Sequence, residues 1–351
     1  MMKFLYQKIL KPFLFLFSPD LVHTAFVKLG ICLIAAPPLR SILRLIYGPP
    51  TTSLVVDGIH YSGPILLSAG FDYNAQLAPI LWDIGFAGQE VGSVTAQKCL
   101  GNPPPNLKRL IRSQSIQVFK GLKNDGVEII IKRLKELPIP KPFVLGISIA
   151  KTNNEACADE NEAIADYVTS YRRCFEEKIG DFFTINISCP NAFGGEDFAR
   201  PDALRKLITS LKSVPSDKPI YFKMPINRPW AEFSQLLNVL EEFKVHGVVI
   251  GNLNKDYQSI DFQDELKSTE FRGGLSGKPC QKLSNELIGL TKKHFPRMTI
   301  MGCGGVLNVQ DAIEKFEAGA DLIQMISGMI FNGPHVLGEI NKMYQERYVP
   351  K

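Results

Sequence analysis

No two of the seven cysteines are spaced as CxxC or in a metal-binding pattern; they lie at positions 32, 99, 157, 174, 189, 280 and 303. That scatter gives no disulfide framework and no metal site, and it points to reduced thiols in a cytosolic environment. No apolar run reaches the roughly 20 residues that a membrane-spanning helix needs. The longest, Leu21 to Ala36, contains His23 and Lys28. A cleavable signal is not favoured, since Ala35-Ala36-Pro37-Pro38 is a poor Ala-x-Ala site. Finally, the body of the chain has no excess of positive charge. Six of the 40 Lys and Arg residues, but only Asp20 among the 35 Asp and Glu, fall in residues 1–47. The rest of the chain is therefore neutral, the whole net charge of +5 sits in the N-terminal arm, and nucleic-acid binding through a basic core is not indicated.

What the chain does have is apolar mass. With 351 residues, 45% of them hydrophobic, it can bury a large core. The basic arm is itself apolar, with Phe13-Leu14-Phe15-Leu16-Phe17, Leu21 to Ala36 and Ile42-Leu43-Arg44-Leu45-Ile46. A pair of basic, apolar helices lying in a membrane interface fits this pattern best. A spanning or signal-like segment and a simple packing arm are the alternatives. Pro37-Pro38 and Gly48-Pro49-Pro50 are the breaks, which divides the chain into an arm, 1–47, and a body, 48–351.

The body alternates. Short apolar runs at 64–68, 88–94, 143–149, 182–187, 220–224, 247–251, 299–303 and 322–326 are separated by amphipathic stretches of helical length. Strand and helix in alternation predict a parallel sheet, and eight strands close a (β/α)8 TIM barrel. An open doubly wound sheet is the competing architecture.

In a barrel, chemistry collects where strands end and helices begin. These exits are small, polar or glycine-rich. Gly304-Gly305 and Ser327-Gly328 follow the seventh and eighth strands, where barrels often bind a phosphate through backbone N–H groups. Gly273-Gly274-Leu275-Ser276-Gly277 reads as a flexible loop after the sixth strand. Lys223 ends the apolar strand Ile220-Tyr221-Phe222, and a lysine there needs an anionic partner: a neighbouring carboxylate, or an electron-accepting ring. Cys189 stands in Asn186-Ile187-Ser188-Cys189-Pro190-Asn191, at a strand end between two amide side chains. That is a place for a thiol that takes a proton. The other six cysteines read as small buried hydrophobes.

Nearly the whole chain resembles the dihydroorotate dehydrogenases, FMN-dependent (β/α)8 barrels of pyrimidine synthesis. The matching strings are Ser68 to Asp72, Val91 to Thr95, Gly101-Asn102-Pro103, Lys123 to Gly126, Asn186 to Asn191, Gly273 to Gly277, Gly304-Gly305 and Gly319 to Gln324. The arm, with Pro19-Asp20-Leu21-Val22-His23, is similar to that of the membrane-bound, quinone-using class. The resemblance implies FMN held by Ala69, Gly70, Ser93, Lys223, Gly277, Gly304, Gly305, Ser327 and Gly328. It implies that Asn186, Asn191 and Asn252 bind the pyrimidine, with Cys189 as the base for the C5 proton while a hydride passes from C6 to the flavin. It further implies that His23 and Arg109 line a tunnel for a membrane quinone, on a protein peripheral to the cytoplasmic face of the membrane. No metal is implied, and nothing bears on oligomeric state.

The chain departs from the family pattern in five places. The membrane-bound class usually carries Ser where Cys189 stands. The family's substrate-binding lysine falls on Tyr73, a substrate-binding asparagine on Val118, a flavin-contacting asparagine on Ser148, and a threonine on Leu253. Lys98, Lys120, Lys123 and Lys151 are the neighbours able to compensate. A related FMN oxidoreductase acting on another dihydropyrimidine or an enone, and a non-catalytic membrane-tethered barrel, are the alternative functions.

Overall fold

The computed structural model describes residues 2–192, 198–259, 261, 264 and 273–349. The arm is helical: α1 (Met2–Leu5), a π-helical turn (Tyr6–Leu10), α2 (Lys11–Phe15), α3 (Pro19–Ile34) and α4 (Pro37–Tyr47). Ser18 caps α3, its hydroxyl accepting from the Leu21 N–H, and Pro19 takes the first helical position. Pro37-Pro38 likewise start α4 rather than merely ending the arm. Among the described residues no single helix is long and apolar enough to cross a membrane; α3 and α4 together would be, but they are bent by 112°.

A hairpin of β1 (Leu54–Val56) and β2 (Ile59–Tyr61) opens the body. The barrel strands are β3 (Ile65–Leu67), β4 (Gly88–Val94), β7 (Val144–Ile149), β8 (Phe182–Asn186), β9 (Ile220–Met224), β10 (Gly247–Ile250), β12 (Thr299–Cys303) and β13 (Leu322–Met325). All their pairings are parallel, and the order β10-β12-β13-β3-β4-β7-β8-β9 closes on itself. The closed sheet rules out the open doubly wound alternative. Each predicted strand lies within a residue or two of the observed one. The intervening helices are α5 (Ala78–Asp83), α6 (Val127–Glu136), α7 (Glu160–Glu176), α8 (Pro201–Leu211), α9 (Trp230–Glu242), α10 (Gln281–His294), α11 (Val309–Glu317), α12 (Ser327–Asn332) and α13 (His335–Tyr348).

Outside the barrel, β5 (Leu107–Leu110), β6 (Ser115–Val118) and β11 (Gly274–Leu275) form a small antiparallel sheet. The glycine-rich stretch after the sixth barrel strand is thus partly a strand and not simply a loop.

The two-residue period of a strand builds the mouth of the barrel. Leu66, Phe182, Tyr221, Met301 and Leu322 pack together with Tyr61, and the partly buried Leu54, Val56 and Ile59 of the hairpin pack against them. Two residues further along the same strands stand Ser68, Thr184, Lys223, Cys303 and Gln324, on the same inner face. The interior therefore changes from apolar to polar toward the C-terminal strand ends, the face on which barrel sites are built.

Candidate active site

A cavity of ≈ 440 Å3 runs from the barrel mouth to the arm. Its polar end is lined by Ala69, Gly70, Ser93, Asn186, Cys189, Asn191, Lys223, Asn252 and Ser327. Its apolar end is lined by arm residues including Leu14, Phe15, Val22, His23, Phe26 and Leu33. The size suits a small-molecule site. A second cavity of ≈ 90 Å3 shares Ala69, Lys223, Asn252 and Ser327 with it, and also touches Gly277, Gly304 and Gly305.

Cys189 follows β8 and is only partly accessible. Burial pushes its thiol above the usual range. The backbone N–H groups of Asn191 and Ala192 oppose that rise, as do the Lys255 and Lys223 charges. Each of the amides around it is held by hydrogen bonds. Asn186 donates to Ser93 Oγ at 2.8 Å, and that oxygen lies 2.8 Å from Ser148 Oγ. Asn252 donates to the carbonyl and to Oγ of Ser188, both at 2.9 Å. Asn191 donates to the Val118 carbonyl at 2.9 Å and accepts from Lys255 Nζ at 2.9 Å. The hydroxyl of Ser148 and the carbonyl of Val118, two of the positions that depart from the family pattern, thus hold the amides in place.

Lys223 is buried, 4% exposed, with Nζ 3.3 Å from Ser68 Oγ. Among the described residues no carboxylate lies within ion-pair distance of it, so the ordinary ion pair is not made. A buried cation with one hydroxyl partner calls for an electron-rich group in the cavity.

The glycine end is shaped by backbone. Gly305 has φ +80°, and a Cβ there would lie 2.5 Å from Gln281 Cα. No other residue fits that approach without moving the start of α10. Gly328 follows Ser327 in the first turn of α12, and a Cβ on it would meet Met325 Sδ and the Val306 carbonyl, both at 2.4 Å. Its small size serves the packing of α12 on the barrel, whereas Ser327 lines both cavities.

At the arm end, His23 Nε2 lies 2.9 Å from the Phe71 carbonyl, and its ring stacks on Tyr73 with centroids 5.8 Å apart. Burial, with Lys120 adding to it, pushes the imidazole down to about 4, so the ring is neutral at pH 7 and donates through Nε2. Arg109 donates to the Phe17 carbonyl at 2.6 Å, with its guanidinium 4.6 Å from the Phe15 ring centroid. Both residues line the cavity. Of the four lysines proposed to compensate, Lys120 and Lys123 line it, whereas Lys98 does not and Lys151 turns to the Cys157 carbonyl.

Lys255 was not anticipated, because its approach to Asn191 depends on how the loop after β10 folds. Asp20, in the arm's family-like string, accepts from the Asn106 and Leu107 N–H groups, both at 3.2 Å, and so fastens α3 to β5.

The family model described as Dihydroorotate dehydrogenase matches residues 52–347. A dihydroorotate dehydrogenase (quinone) of Haloarcula marismortui is 34% identical over 284 residues, 81% of this chain and 78% of that protein. A protein of the same name from Christiangramia forsetii is 31% identical over 350 residues, 98% of this chain and 99% of its own length. The crystal structure of DHODH from Eimeria tenella in complex with ferulenol shares the fold, with a TM-score of 0.79 at 23% identity, over 93% of this chain and 91% of that one. The chain belongs to the dihydroorotate dehydrogenase family.

Proposed function

We propose that this member of the family oxidises dihydroorotate to orotate with FMN as cofactor and passes the electrons to a membrane quinone. The single observation that carries the reading is the continuous cavity, with Cys189 and Lys223 at its polar end and arm helices at the other. The fit of a flavin nucleotide rests on two features. Lys223 is a buried cation that lacks a carboxylate, and the backbone around Gly277, Gly304 and Gly305 offers N–H groups to a phosphate in a small adjoining cavity. Ala69, Gly70, Ser93, Ser327 and Gly328 complete the proposed holder, and the small size of Gly328 also lets α12 pack closely on Met325 and Val306.

When bound, FMN supplies the two-electron acceptor that the dehydrogenation requires and the donor that the quinone requires. The residues of the chain do the rest. Cys189 Sγ takes the C5 proton of the substrate. Asn186, Asn191 and Asn252 orient the ring, themselves oriented by Ser93, Val118 and Ser188. Lys223 supplies fixed positive charge against the negative charge of a reduced ring. His23 and Arg109 flank the quinone path. In this reading residues 1–47 rest on the cytoplasmic face of a membrane and 48–351 form the catalytic body.

The test is anaerobic titration of the FMN-loaded protein with dihydroorotate. Loss of flavin absorbance at stoichiometric substrate is expected; an unbleached spectrum would sink the assignment.

A further inference from the structure

We infer that Lys120 is the residue that binds the carboxylate of the substrate, reaching the cavity from the segment that follows β6. This rests on the reading of the cavity as a dihydroorotate site. The argument begins with what surrounds the Lys120 ammonium. Nζ donates to the Gly70 carbonyl at 3.4 Å and stands 4.4 Å from the centroid of the Tyr73 ring. Among the described residues no carboxylate comes within ion-pair distance of it. Asp20 acts on it only through its field, and that carboxylate already accepts from two backbone N–H groups. A long carbonyl contact and an aromatic face compensate a half-buried cation poorly. Burial accordingly pushes Lys120 down to about 7, with Lys123 adding to the effect. An anion in the cavity would restore the balance and hold the lysine charged.

The position selects the ligand. Lys120 lines the same cavity as Cys189, Asn186, Asn191 and Asn252. The other cations near the site are differently engaged. Lys223 lies deeper, on Ser68, beside the glycine end. Lys255 is held by Asn191. Lys123 is exposed. Tyr73 gives Lys120 its place: its aromatic face lies 4.4 Å from the ammonium, which lines the cavity beside Gly70. Gly121, with φ +62°, follows directly, and the Lys120 carbonyl accepts from the Asn102 N–H at 3.0 Å, which anchors the backbone.

The experiment compares wild type, Lys120→Met and Lys120→Arg, each as the full FMN-loaded chain. Dihydroorotate and its methyl ester are titrated anaerobically while flavin absorbance is followed. Lys120→Met should retain flavin and need about ten- to a hundredfold more dihydroorotate for half-reduction, the loss typical of one charge-assisted hydrogen bond. Lys120→Arg should stay within a few-fold of wild type. The ester should reduce wild type and Lys120→Met at equal concentrations. Equal titration of wild type and Lys120→Met by dihydroorotate would overturn the role of Lys120 and leave the proposed function standing. Failure of dihydroorotate to bleach wild type at any concentration would overturn both. Should Lys120→Met not fold, wild type alone decides: an ester bound as tightly as the acid removes any cation from the role.

Discussion

The arm and the barrel handle apolar surface in opposite ways. Among the described residues nineteen large hydrophobic side chains are exposed, and fourteen of them lie in residues 2–47. Leu16 is 80% exposed and Leu45 87%. In the body, several times longer, the exposed ones among the described residues are Val55, Leu100, Ile111, Ile129 and Tyr348. Scattered exposed hydrophobes are normal, but a contiguous set on one helical element marks an interaction surface. The attachment of the arm differs too. It is fastened by polar groups: Arg40 and Arg44 to the buried Asp83, Asp20 to two backbone N–H groups, Tyr6 to the Ile330 carbonyl and His23 to the Phe71 carbonyl. Directional ties hold the arm in register while its apolar side chains remain available to line the cavity or face outward. The cavity is thus lined on one side by the barrel, which buries its apolar side chains, and on the other by the arm, which leaves many of its own exposed. Under the proposed function, flavin reduction falls to the barrel and electron delivery to the arm.

The largest test of that division is Cys189→Ala. Removing a general base should slow flavin reduction by about a hundredfold or more with flavin content and vesicle binding unchanged, as stopped-flow absorbance and sedimentation would show. Unchanged reduction would remove Cys189 from the mechanism. Next is the joint. Asp83→Ala leaves Arg40, whose side chain is 12% exposed, without its buried partner. Breaking such a pair should cost about 3 kcal/mol of stability in urea denaturation; a loss below 0.5 kcal/mol would mean the arm is held some other way. The third test is pH. Because burial raises the Cys189 thiol, the thiolate is scarce at neutrality and grows up to tenfold per pH unit. Flavin reduction should therefore climb through pH 7 and still be climbing at pH 9, whereas a plateau from pH 7 would contradict a thiol base. The smallest effect is Leu45→Glu, which should weaken binding to lipid vesicles several-fold and leave flavin reduction untouched. Equal binding would show that this face of the arm does not meet lipid.

Much of this organisation was legible in the chain. Eight strands emerged because parallel barrel strands, buried on both faces, tend to be continuous apolar runs, as at Gly247–Ile250. What escaped was short or dependent on distant partners. The β1–β2 hairpin and β11 have three residues or fewer per strand, too few for a period to register. α12 was hidden because Ser327-Gly328 reads as a glycine-containing loop, and the close packing of Gly328 on Met325 and Val306 depends on residues brought together by the fold. Cys189 and Lys223 were visible because each interrupts or ends an apolar strand. Lys120 appeared only as one of four lysines, since its importance comes from the Tyr73 ring and Gly70 carbonyl, about fifty residues earlier in the chain.

The central claim is that two bodies divide one reaction, and one measurement addresses it directly. Protein reduced anaerobically with dihydroorotate is mixed with quinone embedded in lipid vesicles, and the return of flavin absorbance is timed for wild type and for Leu16→Glu/Leu45→Glu. The prediction is a reoxidation rate at least tenfold slower in the variant, with an unchanged rate of reduction by dihydroorotate. Equal reoxidation by vesicle-borne quinone in the two proteins would contradict the division.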